Sequence, residues 1–258
     1  MTQTLDRGFR PVLSNANFRS LWGAQWLALT AQNAINFIQL VLIEQLTGST
    51  IHIGITIVAF TLPGVIFSPL AGVVADRFPK KWVMVASNLS RVLVALGYVV
   101  ALTAVKGPWQ LPLIYALTFL MSTLSQFFAP AEAAMIPLLV GENRLIAANA
   151  LFSLTIVLSQ MIGLVFLGPI IVKVARPAGG FIAISAMYLG AALLVALLPS
   201  DRHQLRPRSA APSPWQQMWT EFREGLSFIG TQPAIKAAIT QLVMIMTLVM
   251  IMAMLMPG

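Results

Sequence analysis

An all-α membrane fold is the class this sequence predicts, on three observations. Of 258 residues, 58% are hydrophobic and 9% charged, against roughly a quarter charged in a soluble domain. Apolar stretches of about 20 residues, the length with which a helix crosses a hydrocarbon core of about 30 Å, recur along the whole chain. The few charges lie between these stretches and not along one solvated face. The net charge of +8 therefore bears on membrane orientation and not on nucleic-acid binding. With no cysteine, disulfides, thiolate metal sites and cysteine nucleophiles are excluded.

Seven spans are predicted, over residues 18–45, 51–75, 82–104, 110–130, 146–172, 178–199 and 234–256. The first places Gln25, Gln32, Asn36 and Gln39 on a narrow helical arc. Amides facing lipid would be costly, so these face a cavity or other helices; substrate contact and interhelical hydrogen bonding both account for them. Glu44 lies near the outer end of that span, where a coupling role and an interfacial position both fit. The second span ends in "AGVVADRFPKK". Gly72 and Asp76, four apart, share a face on which glycine admits a close neighbour. Asp76 sits at a helix C-terminus, where the macrodipole disfavours an anion, so it needs a specific partner. Candidates are Arg91 on the third span, the loop bases, or the N-terminus of another helix, with Arg91 the first choice.

The fourth span carries a milder stripe of Tyr115, Thr118, Ser122 and Ser125, with Gln126 beside it. Hydroxyls can bond their own helix, so a cavity lining and internal bonding both fit. The fifth contains Gly163 and "LGPII", where Gly168 and Pro169 favour a kink and close packing; a hinge and an ordinary kinked packing helix both fit. The sixth is apolar and leads to a polar, Pro-rich connection over residues 200–233. There Ser213 and Pro214 start a helix with Trp215, Trp219, Phe222, Leu226 and Ile229 on one face, a pattern that fits an amphipathic helix on the inner membrane surface and also a helix packing on a missing domain. The methionines of the seventh span read as flexible apolar filler.

Bases alternate across the membrane. Arg7, Arg10, Arg19, Arg77, Lys80, Lys81, Arg144 and the 200–236 bases fall on one side, and Lys106, Lys173 and Arg176 on the other. The positive-inside bias puts the N-terminus and the 76–81 loop in the cytoplasm. The domains are a six-helix bundle over 1–199, a cytoplasmic linker over 200–233, and a seventh helix over 234–258 that begins a truncated second half. Such a plan is that of a two-halved transporter cut early in its second half. His52 and His203 fall on opposite sides, so no metal or acid–base pair forms from them. No enzyme activity and no cofactor are indicated.

"GVVADRFPKK" resembles the loop signature of the major facilitator superfamily, G-x-L-A-D-R-x-G-R-K. Gly72, Asp76, Arg77, Lys80 and Lys81 match; Val74 replaces leucine and Pro79 replaces the second glycine. Proline cannot supply glycine's positive φ, so a different turn with Pro79 at its second position is expected. The resemblance implies that Asp76 and the bases latch the two halves together at the cytoplasmic face in the outward-open state. "LTGST", "LPG", "FFAPAEAAMIPLLV", "ANAL" and "FREGLSFI", in this order, resemble the drug-exporting branch that includes macrolide efflux proteins and the enterobactin exporter. "LGPII" resembles half of the antiporter signature, with Val172 and Lys173 in place of its closing glycines.

The resemblance implies a six-helix N-terminal bundle and alternating access. It further implies export of an amphipathic organic compound across a bacterial plasma membrane, with proton antiport as one mode of coupling. The partners implied are the bilayer, a small-molecule substrate, protons and the absent C-terminal half. The alternative is an incomplete fragment or a non-transporting membrane assembly protein.

Overall fold

The computed structural model describes residues 9–199 and, beyond them, Arg223, residues 227–228, 230–233, 235–238, 240–241, 244–245 and Leu248. The chain divides into two compact units, Met1–Pro207 and Arg208–Gly258. The described residues of the second unit are helical apart from Gln232. The apolar face expected of the linker helix, Trp215 to Ile229, and much of the seventh span lie outside the described residues.

The first unit consists of a short α1 (Phe9–Leu13) followed by α2 (Ala16–Thr47), α3 (Thr50–Arg77), α4 (Lys80–Thr103), α5 (Gln110–Val140), α6 (Leu145–Gln160), a π-helical segment (Met161–Leu167) and α7 (Gly168–Ala196). Helices α2 to α5 are each long and apolar enough to cross a membrane. The run Glu142–Ala196 is helical for 55 residues, about 80 Å at 1.5 Å per residue and far too long for one crossing. Arg176, with φ 56° and ψ 168°, cuts it in two. Pro177 bars the residue before it from the α region, and the exposed Arg176 takes up the bend. Six crossings result, as the hydropathy pattern of residues 18–199 predicts.

Local chemistry sets the ends. Asn15 caps α2 by accepting from the N–H groups of Asn17 and Phe18. Gly48, at φ 56°, closes the same helix in the left-handed conformation and donates to the Glu44 carbonyl. Between α3 and α4 the turn expected around Pro79 does not form. Phe78 and Pro79 are extended, and the Pro79 carbonyl accepts from the N–H groups of Trp82 and Val83, so the proline leads straight into the next helix.

Packing follows a two-fold scheme. Residues 16–103 and 110–196 each form three crossings. The second crossing of each set packs on the first of the other, α3 against α5 and the α6–π region against α2, while the third crossings pack together as α4 against α7. Ser68-Pro69 and Gly168-Pro169 occupy matching places in the two sets. This is the arrangement of inverted repeats.

Glycines let α2 come close to its neighbours. A Cβ at Gly163 would lie 2.6 Å from the Thr30 carbonyl oxygen and 2.7 Å from Asn33 Cβ, and one at Gly168 would lie 2.9 Å from the Phe37 ring. Pro169 has no N–H to offer the Val165 carbonyl. The helix widens there, with the Gly168 N–H reaching the Gly163 carbonyl. The Gly-Pro pair therefore marks a real irregularity, and its glycines are packing seats on α2. Gly72 differs: nothing lies within 4 Å of a Cβ built there, so within this unit it does not serve the close approach expected of it.

Gly163→Ala should destabilise the bundle by about 1–3 kcal/mol through overpacking, whereas Gly72→Ala should leave stability unchanged or slightly raised. Unfolding in mixed detergent micelles followed by circular dichroism checks both. Equal effects at the two sites would contradict the packing described.

Candidate functional site

The four amides of α2 do not act as one stripe. Gln25 and Gln39 are only 2% and 1% exposed and point into the bundle, so the cavity lining expected of them is replaced by an internal position. The Gln39 amide donates to the Tyr98 hydroxyl at 2.7 Å. Thr118 spends its hydrogen on the Ile114 carbonyl at 2.8 Å, so Tyr98 donates to the Thr118 oxygen, 2.8 Å away. This relay ties α2, α4 and α5 together, and the Tyr98 ring stacks on Phe181 of α7 at 4.3 Å. Tyr98 and Phe181, absent from the sequence-derived candidates, thus anchor the bundle's centre.

Gln32 and Asn36 are partly exposed. The Gln32 carbonyl oxygen accepts from the Tyr188 hydroxyl at 3.1 Å and from Ser125, and its amide donates to Asn36 at 3.1 Å. Three helices, α2, α5 and α7, thereby fix one uncharged polar cluster. Ser122 is buried and donates to the Phe60 carbonyl of α3, a tie between helices and not a cavity group. Tyr115 is partly buried. Its hydroxyl lies 2.7 Å from His52 Nδ1 and the two rings are parallel, so His52 joins α3 to α5.

Arg91 does not meet Asp76. The two lie at different depths: Asp76 is one residue from the end of α3, while Arg91 is eleven residues into α4, about 16 Å along its axis. Asp76 is exposed and has no hydrogen-bond or ion-pair partner among the described residues. Arg91, 2% exposed, donates to Ser87 at 3.0 Å, and Ser87 donates to the Leu124 carbonyl at 2.7 Å. Its guanidinium lies over the rings of Phe128 and Tyr188, at 5.1 and 4.9 Å. The nearby charge is Glu132 of α5, 7% exposed and attracted electrostatically to Arg91. Arg91 Nε, one Glu132 oxygen and both polar atoms of Asn88, like the side-chain oxygens of Gln25, Gln39 and Ser159, have no hydrogen-bond partner among the described residues. Unpartnered buried atoms of this kind mark places where water or a moving group is accommodated.

The remaining latch residues gather at the α3–α4 link. Arg77 is exposed, Lys80 is buried at the start of α4, and Lys81 donates to the Leu198 carbonyl at 2.7 Å while lying over Trp82. Glu44 is exposed at the end of α2.

A profile of the Major Facilitator Superfamily matches residues 21–258. The chain belongs to the major facilitator superfamily. It is 26% identical over 228 residues to the MFS-type transporter YfiS of Bacillus subtilis (strain 168), covering 88% of this chain and 50% of the relative. It is 27% identical over 128 residues to macrolide efflux protein A of Streptococcus pyogenes, covering 50% of this chain and 31% of that protein. The protein of the same name from Enterococcus faecalis is 31% identical over 98 residues, or 38% of this chain and 29% of the relative. The chain spans about half the length or less of these curated relatives. The inverted-repeat packing above fits that membership.

Arg91→Met and Glu132→Gln should be non-additive. A double-mutant cycle on unfolding free energy should return a coupling on the order of 1 kcal/mol. Additive losses would show that the two charges do not interact.

Proposed function

We propose that this chain is the N-terminal portion of a secondary active exporter of amphipathic organic compounds. Its halves rock about a midplane site in a bacterial plasma membrane, with the N-terminus and the α3–α4 link cytoplasmic. The observation that carries the reading is the uncharged Gln32–Asn36–Ser125 cluster, partly exposed within otherwise apolar helices. Amides and hydroxyls of this kind can hydrogen-bond the polar groups of a mostly apolar molecule without binding simple ions strongly. The match to proteins named for macrolide efflux supports the same substrate class.

In this proposal the exposed Asp76, and Gly72, where a Cβ would meet nothing within 4 Å, meet the second half when the cytoplasmic side closes, together with Arg77 and Lys81. The π segment before Pro169 supplies the place where the fifth crossing flexes. Exchange for protons is part of the proposal. Glu132, buried beside Arg91, is better shielded for carrying a proton than the exposed Glu44.

Flux of a fluorescent amphipathic dye in inverted vesicles tests it, with this chain joined to a C-terminal half. Gln32→Leu should slow transport roughly three- to tenfold, the effect of losing a hydrogen bond, at equal membrane abundance. Asp76→Asn should lower flux without impairing insertion. Unchanged flux in Gln32→Leu would remove the cluster from the substrate path, and unchanged flux in Asp76→Asn would remove the latch. Transport by the 258 residues alone would overturn the view that a second half is required.

A further inference from the structure

Helices α3 and α4 both pack on α5 but make little contact with each other. They leave a groove of about 400 Å³ lined by Phe78, Pro79, Trp82, Ala86, Leu124 and Phe127, among others. The lining is overwhelmingly apolar, and Phe78 and Trp82 are 55% and 49% exposed. Of its two serines, Ser87 is already committed to the Leu124 carbonyl and to Arg91, which leaves the Ser90 hydroxyl as a single polar group in the lining.

One end of the groove is basic. Arg77 is exposed and immediately precedes Phe78. Lys81 spends one donor on the Leu198 carbonyl, leaving two, and lies 5.4 Å from the Trp82 ring centre. Asp76 offsets part of this charge and the rim remains net positive. An apolar trough whose aromatic mouth is flanked by cations, in a chain that crosses the bilayer, complements a molecule with an acyl chain below an anionic head.

We propose that this groove seats one anionic phospholipid, its acyl chain lying along α5 between α3 and α4 and its phosphate held by Arg77 and Lys81. Lipid would then hold apart the two helices whose link carries the loop signature, so membrane composition would bear on the movement of that link. The site is distinct from the Gln32 cluster and does not depend on what is transported.

Brominated lipids test the proposal, because bromine in an acyl chain quenches only indole groups that it touches. The 258-residue chain is reconstituted in nanodiscs containing a minor fraction of brominated phosphatidylglycerol or of phosphatidylcholine with the same brominated chains. The Trp82 contribution is taken as the difference between the wild type and Trp82→Phe. Phosphatidylglycerol should quench Trp82 more strongly, with an effective local enrichment on the order of tenfold from two nearby bases. The Arg77→Gln/Lys81→Gln variant should quench equally with either head. Ala86→Phe, at an exposed position where bulk fills the groove without disturbing the core, should abolish the excess with the charges intact. Equal quenching of the wild type by both lipids would mean a neutral lipid seat and overturn the proposal. Absence of quenching by either would mean that protein covers the groove, and would overturn it too. Head-group selectivity persisting in Ala86→Phe would place the lipid outside the groove.

Discussion

Inside hydrocarbon a polar group has no water to turn to, and this constraint organises the first unit. Each amide or hydroxyl that enters the apolar zone must find a partner on its own helix or on another. The Gln39 amide group, Tyr98 and Thr118 meet it by a three-helix relay, Trp22 by donating to Thr155 of α6 at 2.7 Å, Ser87 by reaching the Leu124 carbonyl, and Tyr188 of α7 by donating to Gln32. Because each bond fixes both depth and rotation, together they set the register in which α2, α4, α5, α6 and α7 lie. Small residues then permit the contact, with Gly163 and Gly168 admitting α2 nearly to backbone distance.

Against that background the groups left unsatisfied stand out. Asn88, Arg91 and Glu132 hold polar atoms in a dry interior without partners, beside a cluster on Gln32 that is tied internally yet still reaches the surface. A purely structural bundle would gain by replacing the Arg91 and Glu132 pair with apolar side chains, since the cost of dehydrating two charges commonly exceeds their attraction. Buried charges of this kind suit a protein that changes conformation, because they can be re-partnered between states.

Much of the fold was legible in the sequence because hydropathy and charge placement act over whole helices. Six crossings, the break before Pro177 and the irregularity at Gly168-Pro169 all have local causes. The pairing of side chains was less legible, because it depends on depth and rotation across helices. Asp76 and Arg91 look like neighbours when spans two and three are read as a hairpin, but eleven residues of α4 separate them in depth. The α2 amides share an arc in projection but differ in depth: Gln25 and Gln39, toward the two ends, are packed over, while Gln32 and Asn36 between them reach the surface. One signal was available for the missed centre: Ser87, Asn88, Arg91 and Tyr98 recur at helical spacing on α4, a polar stripe as ordered as that of α2.

That division of the α2 amides is the central claim, and the absence of cysteine makes it directly measurable. Single cysteines at Gln25, Gln32, Asn36 and Gln39 can be challenged in vesicles with a water-soluble, membrane-impermeant thiol reagent admitted to both sides. Modification is expected at 32 and 36, with 25 and 39 protected until the protein is denatured. Labelling at 25 and 39 as fast as at 36, or protection of all four, would contradict the account.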